Sequence, residues 1–181
     1  MTAASSKLDA SEFRRVLGHL PTGVTVVTAY AADGTLAGMA ANSLTSVSLD
    51  PPLILICPAK TSTTWPAMRE AGTFCVNVMA SHHEPLCRTF ARRGTDRFAD
   101  VAWHSRSTGP GLDEALAWLE CEIVEEYEAG DHTIVLATVT AIEAATTGGP
   151  LVFFKGQYGT FAPTDGDADV PHHTHAIPRA S

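Results

Sequence analysis

The residues best suited to chemistry are concentrated between Ala37 and Trp65, in AGMAANSLTSVSLDPPLILICPAKTSTTW. Ala40, Ala41, Asn42, Ser43, Thr45, Ser46 and Ser48 are small or carry polar side chains. Small residues let a planar ligand approach the backbone, while hydroxyls, an amide and backbone N–H groups can bond a polar ring edge. Lys60-Thr61-Ser62-Thr63-Thr64 then precedes Trp65-Pro66 and a helical pattern. A lysine and several hydroxyls at a helix start suit a phosphate, because free amides and the helix dipole both favour an anion. The same stretch also reads as a Ser/Thr-rich hairpin with ordinary helix caps. Arg88, Arg92, Arg93 and Arg97 concentrate positive charge, either as a solvated helix face or as a site for ligand phosphate. His132 follows Gly130-Asp131, where a histidine can cap a turn or face a ligand. His172, His173 and His175 could bind a metal, but no neighbouring residues stand ready to orient them, so no metal site is predicted. There is no catalytic triad, paired acid–base set or GxGxxG dinucleotide motif.

The elements that must position these residues follow from periodicity. Asp9–Leu20 reads as an amphipathic helix with Phe13, Val16, Leu17 and Leu20 on one face and a capping box from Asp9 and Glu12. Val24–Tyr30 is a β-branched strand, Asp33-Gly34 a hairpin turn, and Leu36–Ala41 the returning strand. Asp50-Pro51-Pro52 cannot continue a central strand, and Leu53–Cys57 is a run that wants both faces buried. Thr64–Ala71 is a short helix capped by Thr64, and Phe74–Met79 another strand. Ser81 and Glu84 form a second capping-box pattern, before a helix that ends near Arg92-Arg93-Gly94. Trp103–Gly111 reads as a loop and Leu112–Ala117 as a short helix. Trp118–Tyr127 and Thr133–Ala144 pair across Gly130-Asp131, and Leu151–Phe161 is a last strand. Six or seven hairpin-linked strands with helices set apart predict an antiparallel barrel with added helices.

The 181 residues predict one domain with a real core. A formal charge of −8 argues against a nucleic-acid surface. No apolar run approaches the roughly 20 residues that span a bilayer, and Met1–Asp9 lacks an apolar signal core. Cys57, Cys75, Cys87 and Cys121 form no CxxC pair and read as buried thiols. Together these features predict a cytoplasmic protein without nucleic-acid or membrane partners.

Asn42-Ser43-Leu44-Thr45-Ser46-Val47-Ser48-Leu49-Asp50-Pro51-Pro52 closely resembles the signature of the flavin reductase-like, FMN-binding split-barrel family. Pro21-Thr22-Gly23-Val24, Asp96-Arg97-Phe98, Gly130-Asp131-His132 and Pro150-Leu151-Val152-Phe153 recur in that family's order. More narrowly, the chain resembles the short-chain reductase components of two-component flavin-dependent monooxygenases. The resemblance implies a mainly β fold, an antiparallel six-stranded split β-barrel (Greek key) with peripheral helices. It implies a domain over residues 9–163; the composition and terminal position of what remains predict 1–8 and 164–181 as mobile termini. It implies an NAD(P)H:flavin oxidoreductase, homodimeric, that passes hydride from NADH or NADPH to FMN or FAD and supplies a flavin-dependent monooxygenase.

The resemblance also places residues. Gly38, Met39, Ala40, Asn42 and Ser43 match positions that contact the flavin ring. Cys57, Pro58, Ala59, Lys60, Ser62 and Thr63 match a strand end and phosphate loop. Phe90 and Arg93 match a helix end at the phosphate or adenylate side. His132 matches a histidine on the nicotinamide side, and Lys155, Gly156, Gln157 and Tyr158 a strand that helps hold NAD(P)H. Met39-Ala40 stands where many relatives have a threonine, and Gln157 where some have an acid. No side-chain nucleophile is needed, because hydride transfer asks the protein to stack and orient two rings. A flavin carrier without turnover and a pyridoxamine-phosphate-oxidase-like enzyme on the same barrel are the alternatives.

Overall fold

Every strand pairing among the described residues is antiparallel, and the hairpin signals at Asp33-Gly34 and Gly130-Asp131 account for two of them. The computed structural model describes residues 8–94 and 96–164. In chain order the first elements are α1 (Ala10–Leu17), β1 (Thr22–Gly23), β2 (Thr25–Tyr30), β3 (Leu36–Ala41), β4 (Thr45–Leu49) and β5 (Pro52–Ile56). Then come α2 (Trp65–Ala71), β6 (Thr73–Val78), a single 3₁₀ turn and α3 (Glu84–Ala91). The chain continues through β7 (Trp103–Ser105), β8 (Pro110–Leu112), β9 (Ala117–Ala129), β10 (His132–Ala144), β11 (Leu151–Phe154) and β12 (Gln157–Thr160). Seven strands form the main sheet in the order β3-β2-β6-β9-β10-β5-β4. It curls as a split barrel, open between its edges β3 and β4, which is the expected mainly β class with peripheral helices. A small sheet, β1-β11-β12, and the hairpin β7-β8 flank it.

The core has two halves, one on each side of the sheet. Val27 of β2 packs with Ile54, Ile56, Trp65, Phe74, Val76 and Val135. Its neighbour Val26 points the other way and packs with Cys75, Cys87, Phe90, Leu112 and Leu151. The alternation of β2 thus feeds both halves. The run Leu53–Cys57 does not. Ile54 and Ile56 are buried, but Leu53 and Leu55 are only half-buried, because no helix among the described residues covers their side of β5.

Several local expectations are corrected. Helix α1 ends at Leu17, before Pro21, and Asp9 caps it by accepting from the Ser11 amide at 3.2 Å. Glu12 does not complete the box, because Arg15 takes its carboxylate at 2.6 and 2.8 Å. Thr64 makes no capping bond at α2; Ser62 does, accepting from the Trp65 amide at 3.1 Å. At the 3₁₀ turn before α3 the Ala80 amide donates to His83 Nδ1 at 3.2 Å, which replaces the Ser81–Glu84 pattern. The predicted loop and helix over Trp103–Ala117 are instead the hairpin β7-β8 and a turn. Buried polar groups draw that hairpin onto the sheet: Thr28 Oγ1 donates to the Pro110 carbonyl at 2.6 Å, and Asn77 Oδ1 accepts from the Leu112 amide at 2.6 Å. Leu151–Phe161 is two strands, split by a two-residue turn at Lys155 and Gly156, both at positive φ. The His172–His175 segment and most of both expected mobile termini lie outside the described residues.

Candidate functional site

Two strand ends from the two sides of the open sheet meet at the site. Ser43 follows β3 and Cys57 follows β5. The Ser43 hydroxyl accepts from the Cys57 amide at 2.9 Å, so this bond ties the sheet across its seam. The tip of the β9–β10 hairpin closes in from a third direction. Ala59 and His132 form an isolated bridge, the Lys60 amide donates to the Asp131 carbonyl at 2.9 Å, and the Thr133 amide donates to the Pro58 carbonyl at 3.0 Å.

Arg97 holds the opposite end together. Its Nη1 donates to the Gly38 carbonyl and the Thr64 hydroxyl, and Nε donates to the Arg92 carbonyl at 3.0 Å. One guanidinium thereby joins β3, the start of α2 and the end of α3. Burial pulls its pKa below the usual arginine value, yet an arginine remains charged. Arg93 reaches back from α3, with Nη2 donating to the Thr61 carbonyl at 3.2 Å.

These elements enclose a cleft of about 640 Å³. Of the residues singled out from the sequence, it collects Met39, Ala40, Asn42, Ser43, Cys57, Pro58, Ala59, Ser62, Thr63, Phe90, Arg93 and His132. Gly38 lies behind the wall, and its bare Cα makes room for Phe90. Lys60 turns away: its ammonium pairs with Glu128, in a neighbouring cleft. Tyr158 lines a recess of about 180 Å³ that shares Ala40, Ala41, Asn42 and Ala91 with the main cleft. Lys155, Gly156 and Gln157 are exposed on the β11–β12 turn and line neither space. Arg97 and Thr64, both within the stretches that suit a phosphate, also line the cleft, and so does Ile134, which the sequence reading did not name. Arg97 had a signal, in the Asp96-Arg97-Phe98 piece and the cluster of arginines. Ile134 had one in its register, two residues beyond His132 on the same strand face.

Electrostatics argues against nucleophilic chemistry here. Burial pushes the Cys57 thiol up, away from the reactive thiolate. His132 Nδ1 lies 2.8 Å from Asp131 Oδ1, and that hydrogen bond, then the imidazole's charge, holds the Asp131 carboxyl below its usual range. A carboxylate can only accept, so in that bond Nδ1 is the donor. Among the described residues no hydrogen bond links His132 to Cys57 or to a cleft hydroxyl. The cleft does fit a flavin. Its volume suits a small-molecule site, Ala40, Ala41, Pro58 and Ala59 are small apolar lining residues that leave room for a ring, and Ser62, Thr63, Arg93 and Arg97 offer phosphate donors.

Comparison with known proteins shows what the chain is similar to. A family model described as flavin reductase like domain matches residues 17–162. The chain is 41% identical over 158 residues to a flavin reductase of Pseudomonas putida, covering 87% of this chain and 93% of the relative. It is 44% identical over 156 residues to the reductase component of a 4-nitrophenol 4-monooxygenase/4-nitrocatechol 2-monooxygenase of Rhodococcus opacus, covering 86% and 83%. Among solved structures, nitrilotriacetate monooxygenase component B from Mycobacterium thermoresistibile superposes with a TM-score of 0.84 at 33% identity, covering 94% of this chain and 95% of that one. The NADH:FAD oxidoreductase SgcE6 of Streptomyces globisporus C-1027, solved with NAD and FAD fragments, superposes with a TM-score of 0.82 at 39% identity, covering 91% and 100%.

Proposed function

The chain belongs to the flavin reductase-like family, and we propose that it reduces FMN or FAD with NADH or NADPH in the Met39–His132 cleft and supplies the reduced flavin to a separate flavin-dependent monooxygenase. The observation that carries this reading is one cleft that joins small lining residues, a cluster of phosphate donors and a histidine, without a nucleophile–base pair among the described residues. A bound flavin supplies the redox chemistry, accepting hydride from the nicotinamide.

The chain's residues bind and orient. Ala40, Ala41, Pro58 and Ala59 stack against the ring, while backbone groups and the Asn42 amide meet its polar edge. Ser62, Thr63, Arg93 and Arg97 take the phosphate. His132, held by Asp131, faces the nicotinamide side, and Tyr158 extends that side through the adjoining recess. Crowding two rings into one cleft replaces a bimolecular encounter with a fixed geometry, which is the main rate advantage available without acid–base groups.

Phe13, Val16 and Leu17 on α1, with Leu20 just beyond its end, are apolar side chains exposed by 50%, 51%, 53% and 67%. These side chains support a homodimer, testable by sedimentation. No helix among the described residues is long and apolar enough to cross a membrane. Steady-state oxidation of NADH and of NADPH with FMN, FAD and riboflavin tests the function. Flavin-dependent oxidation is the expected result. Flavin binding without oxidation of either nucleotide makes the protein a carrier instead.

A further inference from the structure

We propose that the Lys60–Glu128 ion pair is a positioning device for His132, and that Lys60 is not a phosphate ligand. The proposal rests on the reading above that His132 serves the nicotinamide. Lys60 sits in the stretch whose hydroxyls suit a phosphate, yet its ammonium leaves the main cleft. It pairs with Glu128 on the far side of the Ala59–Ser62 segment, in a second cleft of about 530 Å³.

Glu128 is well placed for this role. It is the β9 partner of Thr133, one pair below the Ala129–His132 pair that ends the hairpin. The tip beyond carries Gly130 at φ 65° and an Asp131 side chain that is 87% exposed, so little packing restrains it. Two backbone hydrogen bonds, Lys60 amide to Asp131 carbonyl and Thr133 amide to Pro58 carbonyl, catch the tip on its inner side and make up the Ala59–His132 bridge. The Lys60 side chain grips the same hairpin from outside. A second ion pair runs alongside, from Arg69 Nε on α2 to Glu126 Oε2 at 2.8 Å. Glu126 and Glu128 are two apart on β9 and share a face, so the two pairs form a short ladder fastening the loop and α2 to the strand. The Lys60 hydrogen bond, then its charge, and lastly the Arg69 charge hold the Glu128 carboxyl below its usual range. For Lys60 to reach a phosphate in the main cleft, that contact would have to break and the side chain cross the loop.

An exposed ion pair adds little to stability, so its loss should act on orientation more than on folding. Lys60→Met and Glu128→Gln should each raise the nucleotide KM about two- to fivefold, and the double variant no more than either alone. The reversed pair, Lys60→Glu with Glu128→Lys, should restore the KM. Neither single variant should change the ratio of FMN to riboflavin affinity, measured by fluorescence quenching. Both should move the imidazole resonances of His132 in NMR spectra of the flavin-free protein. A selective loss of FMN affinity in Lys60→Met, absent from Glu128→Gln, would make Lys60 a phosphate ligand and overturn the proposal. So would unmoved His132 resonances in both variants. His132→Ala, run in parallel, separates the two readings: an unchanged nucleotide KM there sinks the nicotinamide assignment, while the resonances still decide the positioning.

Discussion

The Phe90 ring occupies the space that a side chain on Gly38 would need. A Cβ at Gly38 would lie 2.3 Å from Phe90 Cε1 and 3.0 Å from the Phe98 ring. Phe90 is 1% exposed and meets Phe98 edge to face at 5.1 Å. Helix α3 therefore seats its end directly on the backbone of β3. That seat brings Phe90 and Arg93 to the cleft, and Arg97 locks it by bonding the Gly38 carbonyl.

Gly38→Ala should accordingly cost about 1–3 kcal/mol of stability, the usual range for overpacking a filled core. Flavin affinity should fall with it, because α3 must shift. Gly23→Ala is the control, since nothing lies within 4 Å of a Cβ there. Urea unfolding and flavin titration of both variants check this; equal stability in the two would mean that Phe90 moves aside freely.

Glu120 should give the fold an acid-sensitive component. Burial opposes its ionisation, but hydrogen bonds from the Ser107 hydroxyl and amide, then the charge and hydrogen bond of Arg106, outweigh burial and hold its carboxyl below the usual 4.5. Arg106 itself spans Glu120 and Glu143 and lies 4.8 Å over the Trp118 ring. A depressed folded pKa favours the ionised form in the fold. Its stabilisation is complete above about pH 4.5 and is lost as pH falls through the lowered value. Glu120→Gln should cost about 1–3 kcal/mol at neutral pH and flatten the acid limb of the stability curve. Thermal melts from about pH 3 to about pH 7, which bracket the carboxylate range, provide the measurement. A mutant limb as steep as the wild type would assign the acid sensitivity to other carboxyls.

The strands carrying this architecture were legible because their patterns are local. β2, β3, β6, β9 and β10 announce themselves by β-branched content and by Asp-Gly or Gly-Asp turns. The wall of the cleft was legible for a related reason, as small and hydroxyl residues cluster between Ala40 and Thr64. Tertiary hydrogen bonds were not legible. Hairpin β7-β8 depends on Thr28 and Asn77, far away in the chain, and no property of Trp103–Leu112 reveals them. Lys60 shows the same limit. Its residue type suited a phosphate, but its direction is set by Glu128 on another strand. The β11–β12 turn was hidden because lysine seldom adopts the φ of 50° that Lys155 takes.

His132→Ala should impair use of the nicotinamide and spare the flavin. The imidazole lines the cleft and is oriented by Asp131, but it makes no bond to the residues proposed to hold phosphate. Losing one such contact should cost about 1–2 kcal/mol, or about 5- to 30-fold in kcat/KM. The loss should fall on the nucleotide KM if the contact is as strong in the ground state as in the transition state. Initial rates against nucleotide and fluorescence titration with flavin separate the effects. Weakened flavin binding with unchanged nucleotide kinetics would put His132 on the wrong side of the ring.

Ser62→Ala should reveal two roles in one side chain. The hydroxyl oxygen accepts from the Trp65 amide at 3.1 Å and the Thr64 amide at 3.3 Å, which caps α2. Its proton points to Met39 Sδ at 3.9 Å, a weak acceptor. That proton can therefore turn to a phosphate oxygen at small cost, while the two amide bonds stay in place. Removing the cap should lower stability by about 1 kcal/mol whether or not ligand is present. Removing the donor should weaken FMN by about 1.5–3 kcal/mol, roughly 10- to 150-fold, if phosphate takes a charge-assisted bond there. Riboflavin has no phosphate, so its affinity should fall only as far as the loosened α2 allows. Titration of both flavins, beside an unfolding curve for each protein, separates cap from contact. Equal losses for FMN and riboflavin would reduce Ser62 to a cap and leave the phosphate to Thr63, Arg93 and Arg97.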